Sequence, residues 1–173
     1  GGTVITSSAT EAGSGGEVVV WSQSATRFHG DILSRAGPLG GNGGFVEVSG
    51  AGFLQFAGNV DVGADFGSPG TLLLDPLNIN LSLSSDANTA GFTVGSDLAE
   101  AFLDDPGLSS NFDLTPGAGS FQGIAAGSTI ILQATNNINV NSSLNLALVT
   151  GSENVSLVLQ AGNNININGV ITA

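Results

Sequence analysis

Few side chains in this sequence can do acid–base or nucleophilic chemistry, and they do not converge. His29 is the sole histidine, cysteine and lysine are absent, and the cations are Arg27 and Arg35. A lyase acting on acidic sugars needs basic groups to take a proton and hold its substrate, and two arginines are too few for both tasks. Hydrolysis of a glycosidic bond needs carboxyl groups converging on that bond from neighbouring strands. The adjacent pair Asp104-Asp105 instead precedes Pro106-Gly107, the residue types of a helix stop or solvated turn. No nucleophile-elbow serine accompanies His29, so no triad can be assembled. The expectation is a chain that is not an enzyme, with no catalytic, cofactor or metal site. Asp104, Asp105 and His29 are the first residues to revisit if that fails.

Asparagine is the polar residue that recurs at fixed spacing. Asn137, Asn139 and Asn141 reappear 27 residues later as Asn164, Asn166 and Asn168, and Asn78 and Asn80 belong to a related segment. Identical amides stacked at strand spacing can hydrogen-bond as ladders, which gives these six residues a structural role. A flat polar face could also bind carbohydrate or ice, but such faces extend over many repeats. Three sequons make Asn80, Asn141 and Asn154 candidate glycosylation acceptors. Trp21, the single tryptophan, could stack on a sugar; beside Val20 it is expected to pack at a corner. The loop 63–70 has too few spaced oxygens for a known calcium-loop motif.

These residues sit on a repeat. Gly15-Gly16-Glu17-Val18-Val19-Val20 aligns with Gly43-Gly44-Phe45-Val46-Glu47-Val48, and Phe28-His29-Gly30-Asp31-Ile32 with Phe56-Ala57-Gly58-Asn59-Val60, both at an offset of 28. Leu132–Asn141 repeats as Leu159–Asn168 at an offset of 27. Repeats of this period indicate solenoids or propellers. Within each one, apolar residues alternate with polar ones, as in Val60/Val62 and Ile138/Val140, which is the pattern of a strand with one buried face. Glycine-rich breaks supply corners, where positive φ is expected. Stacking such coils pairs each strand with its equivalent about 4.8 Å away.

The predicted fold is therefore all-β: a parallel β-helix, or β-solenoid, with coils of about 27–28 residues. It divides into coils over 1–83, an insertion over 84–126 and coils again over 127–173. The insertion holds a predicted short helix, Ser96–Leu103, with Leu98 and Phe102 at i, i+4. Its Phe92, Phe102, Leu103, Phe112 and Phe121 are expected to pack down as a side or edge cover. Val46, Val48, Val60, Val62, Ile138, Val140, Ile165 and Ile167 should be buried, with Asn139 and Asn166 outward. Phe28 should stack on Phe56, and His29 should face solvent at the position that becomes Ala57 one coil on.

Composition sets the partners. With 14 acidic residues against two arginines, the formal net charge is −12, so nucleic acid and anionic membranes are not expected partners. No apolar run approaches a membrane span, and membrane insertion is not expected. Residues 1–16 lack a basic leader, so the chain reads as a fragment or mature piece of something longer.

The segments Gly43–Asp61, Gly70-Thr71-Leu72-Leu73-Leu74-Asp75-Pro76-Leu77-Asn78-Ile79 and Ile131–Ile138 resemble the filamentous-haemagglutinin-type large exoproteins. The Gly-Thr-Leu-Leu-Leu-Asp-Pro run is the most specific part. What the resemblance implies is a right-handed β-helix from a Gram-negative bacterium, exported by two-partner secretion through an outer-membrane pore. It also implies an extracellular or cell-surface location and a role in adhesion or surface coating, with host or neighbouring-cell surfaces or glycans as partners. The family's Asn-Pro-Asn-Gly type secretion motif is not found in this sequence, so export is an expectation about the parent protein. Two alternatives stand beside this one. The chain could be a homo-oligomerising subunit of an extracellular filament, stacked end to end, or a polysaccharide-binding or polysaccharide-cleaving β-helix.

Overall fold

Period-two alternation places one apolar row of every strand inward, and the coils close around that row. The computed structural model describes residues 2–83, 109–114, 120–121, 123–150 and 154–172, and they wind into a parallel β-solenoid of about five turns. After β1 (Val4–Thr6), the first full coil carries β2 (Glu17–Ser22), β3 (Ala25–Phe28) and β4 (Asp31–Leu33). The second carries β5 (Phe45–Gly50), β6 (Phe53–Phe56) and β7 (Asn59–Asp61). The third carries β8 (Thr71–Pro76) and β9 (Ile79–Ser82), followed by β10 (Ser110–Asp113). The fourth has β11 (Thr129–Ala134), β12 (Asn137–Val140), β13 (Leu144–Asn145) and the one-turn helix α1 (Leu146–Thr150). The fifth has β14 (Ser156–Ala161), β15 (Asn164–Ile167) and β16 (Ile171–Thr172).

The first face is one continuous sheet in the order β14-β11-β8-β5-β2. The second face is divided into β3-β6 and β10-β9-β12-β15, and the third into β1-β4-β7 and β13-β16. Every ladder is parallel, with Asp31 opposite Asn59 and Ile138 opposite Ile165. The Asn59 amide donates to the Gly30 carbonyl at 3.1 Å, which sets Gly30 against Gly58 as the 28-residue offset requires. Between β5 and β8 the step shortens to 26, as the Ser68 amide bonding to Asn42 also shows, so coil length ranges slightly wider than expected.

Val46, Val48, Val60, Val62, Ile138 and Val140 are fully buried, each side chain stabilising its coil by about 1.5–3 kcal/mol. Ile165 and Ile167 depart from the expectation, being 43% and 53% exposed. They occupy the correct inward register on β15, but no described coil lies on its far side, so the core row of that coil is open. Trp21 also departs: it is 59% exposed, because the β2 alternation that buries Val18 turns Trp21 outward.

Corner glycines are required mostly by close approach rather than by positive φ. A Cβ on Gly58 would run into the Gly30 carbonyl and the Phe28 ring, and Phe28 in turn stacks on Phe56 at 6.1 Å with planes 12° apart. Positive φ is confined among described glycines to Gly13, Gly40, Gly41, Gly123 and Gly127.

Within the stretch 84–126 one described segment is a strand, β10. Its β10 enters the wall, pairing in parallel with β9 (Phe112 opposite Leu81), while its other edge meets β6, whose Leu54 amide donates to Ser110 Oγ at 2.8 Å. Phe112 is fully buried and packs at 5.7 Å on Phe121, itself 3% exposed. The expected helix at 96–103, with Phe92, Phe102 and Leu103, lies outside the described residues.

Candidate functional site

The outer surface of the second face is an array of asparagine amides. Alternation on β12 buries Ile138 and Val140 and turns Asn137 and Asn139 outward, and β9 and β15 repeat this arrangement in register. Along one column Asn166 Nδ2 donates to Asn139 Oδ1 at 2.8 Å. Asn139 Nδ2 donates in turn to Asn80 Oδ1 at 2.9 Å, and Asn80 Nδ2 to Asn111 Oδ1 at 3.1 Å. At the preceding corner Asn163 donates to Asn136 at 3.2 Å, and Asn136 donates to Asn78 at 3.0 Å. Asn164 reaches Asn137 at 3.1 Å, and Asn168 reaches Asn141 at 3.3 Å. The ladders thus include Asn78, Asn80, Asn111, Asn136 and Asn163 beyond the six residues singled out from sequence. Asn111 was hidden because only pairing with β9 brings it into line.

An amide has two N–H donors and an oxygen with two lone pairs. A mid-ladder rung such as Asn139 spends one donor and one lone pair on its neighbours, leaving one of each for solvent or a ligand. The bonds all run in one sense, so their dipoles align and reinforce each other. Chemically the array is neutral and suited to hydroxyl-rich or amide-rich partners. It contains no group that would take or give a proton near neutrality.

The other sequence-derived residues are dispersed. His29 is exposed at the corner between β3 and β4. Arg35 links coils: Nη1 donates to both carboxylate oxygens of Asp61 at 2.8 Å and Nη2 to Asp65 at 2.9 Å. Its hydrogen bond to Asp61 holds the guanidinium above its ordinary value. Asp104 and Asp105 lie outside the described residues. Of the sequon asparagines, Asn80 has its Nδ2 engaged with Asn111, Asn141 is exposed and accepts from Asn168, and Asn154 is exposed at φ 58° before β14. A groove of about 480 Å³ crosses the corner at Gly15, Gly43, Gly44 and Gly70, and Glu17 is the one ionisable side chain lining it. Among the described residues no three His, Cys, Asp or Glu side chains cluster at metal-binding distance, and no helix is long and apolar enough to cross a membrane.

No family model matches the chain, and no curated protein matches its sequence.

Proposed function

We propose that this chain is a structural, adhesive segment of a secreted bacterial surface exoprotein, forming part of a rod used for attachment or matrix. The observation that carries this reading is the coil stack itself: parallel sheets and amide ladders that run on from coil to coil and can be lengthened without changing the chemistry. The ionisable groups do not oppose it. Among the described residues, His29, the Arg35–Asp61–Asp65 cluster and Glu17 stand apart from one another. The sequence resemblance to filamentous-haemagglutinin-type exoproteins supplies the secreted, Gram-negative setting and the outer-membrane pore as the parent's export partner.

The test joins shape to attachment. Purified chain should appear by negative-stain microscopy as short rods, and beads coated with it should bind neutral glycans or cell surfaces in a flow chamber. Release of shortened products from a panel of neutral and acidic polysaccharides would overturn the reading.

A filament-subunit version is the second reading. The fifth coil presents Ile165, Ile167, Val170 and Ile171 at 38–66% exposure, an apolar coil face with open backbone edges that another coil can cover. In that version a second copy of the chain supplies the cover, and sedimentation velocity should show open-ended association as concentration rises. A single sedimenting species across that range would remove it.

A further inference from the structure

Two oxygens on the outer face of the large sheet are shielded from water and have no hydrogen-bond partner. On β5 the inward residues are Val46 and Val48, so Glu47 and Ser49 point outward; on β8 Leu72 and Leu74 point in and Asp75 outward. Ser49 stands opposite Asp75 in the ladder. Ser49 is 1% exposed, and neither its Oγ nor Asp75 Oδ1 has a partner. On the next strand Gln133 reaches the other carboxylate oxygen, Oδ2, only at 3.4 Å. Burial first, and then the charge of Glu47, holds the Asp75 carboxyl above its ordinary value. Such orphaned, shielded oxygens are rare and call for an explanation.

A hard cation supplies one. Calcium gathers six to eight oxygens at about 2.3–2.6 Å, and oxygens held by the ion need not hydrogen-bond among themselves. Ser49 Oγ and Asp75 Oδ1, on residues paired across β5 and β8 with no hydrogen bond between them, meet that condition. Two carboxylates and a hydroxyl form an all-oxygen set, which suits calcium and not the softer metals that seek imidazole or thiolate. Positive charge there would also relieve the repulsion between Asp75 and Glu47.

We infer that Glu47, Ser49 and Asp75 form a calcium site on the outer face of the five-stranded sheet, with the Gln133 amide donating to Asp75 from the next strand. With two carboxylates it belongs to the weak class of extracellular sites, with a Kd of about 10⁻⁴–10⁻³ M. Bound calcium would pin β5 and β8 together from outside, as the apolar rows do from inside.

Thermal unfolding of the full chain with added CaCl2, against NaCl at equal ionic strength, tests the site, with calorimetric titration of CaCl2 for the Kd. The expected result is a rise in Tm specific to calcium. Asp75→Asn should abolish it, and Glu47→Gln should weaken affinity at least tenfold. Ser49→Ala should weaken it several-fold, and Glu11→Gln, at an exposed loop position, should respond like the parent. Because Asp75→Asn relieves repulsion, it should fold and unfold at a higher temperature than the parent in chelator; if it does not fold, Glu47→Gln decides. Absence of a calcium-specific shift in the parent, or a shift that survives both substitutions, overturns the assignment.

Discussion

The first and second faces of the same coils are built differently. On the first face β2, β5, β8, β11 and β14 follow one another without interruption, whereas on the second β6 and β9 are separated by β10, a strand from outside the repeat. Both faces bury one apolar row per strand. The continuous face is held by repetition, since each strand finds its equivalent one coil away. The divided face is held by a specific inserted part, Ser110–Asp113, which pairs along its length with β9 and accepts at Ser110 Oγ from β6. A solenoid wall can thus accept a foreign strand if that strand presents the same alternation, here Ser110 and Phe112 inward against Ile79 and Leu81.

The largest effect should come from charging the core row shared by regular coils. Ile138→Asp puts an unpaired carboxylate at a fully buried site between β9 and β15 and should cost at least about 4 kcal/mol. The matching Ile165→Asp, one coil on and 43% exposed, should cost far less. Urea unfolding of the two variants measures the contrast, and equal losses would break it. Next, Phe112→Ala empties the centre of the inserted strand and should cost about 3 kcal/mol. Hydrogen exchange should then rise around Ile79–Ser82 and Phe53–Phe56 while β2 and β5 stay protected. Uniform deprotection would show that the inserted strand is not a local device.

Gly58→Ala drives a methyl toward the Gly30 carbonyl and the Phe28 ring and should cost about 2 kcal/mol, read as a lower Tm. Asn139→Ala breaks the ladder between Asn166 and Asn80 on a partly exposed surface, for about 1 kcal/mol. The smallest effect is a dependence on pH. Asp75 has its folded pKa raised above the ordinary 3.8, so its neutral form favours the fold. That contribution is present below the ordinary value and is lost as pH rises through the folded one. In chelator, Asp75→Asn should therefore exceed the parent in Tm at neutral pH, and the gap should close as pH falls below the ordinary carboxylate value.

Much of the repeat was legible because strand pairing here is the same operation as sequence alignment. The 28-residue offset that matches Val18 to Val46 is also their ladder register, and the 27-residue offset does the same for Ile138 and Ile165. The amide ladders follow from that register. β10 was not legible, since Ser-Asn-Phe-Asp is too short to show a period and gains its meaning only beside β9. The α1 turn was missed because five residues, Leu146–Thr150, leave little periodic signal. The Glu47, Ser49, Asp75 and Gln133 grouping escaped for a different reason. These residues are unlike one another, and self-comparison finds likeness; only reading down the outward columns of the alignment brings them together.

The one-way amide ladders give the solenoid a direction. On the fifth coil Asn166 has its Nδ2 committed downward to Asn139, which leaves its Oδ1 as the ladder's acceptor at that end. At the other end of the column Asn111 has used its oxygen on Asn80 and keeps donors. The two ends are therefore chemically unlike, one accepting and one donating. A further coil, from this polypeptide or another, would prolong the ladder only in the same orientation, by translation and rotation along the axis and not by two-fold pairing. A rod of this kind has a head and a tail.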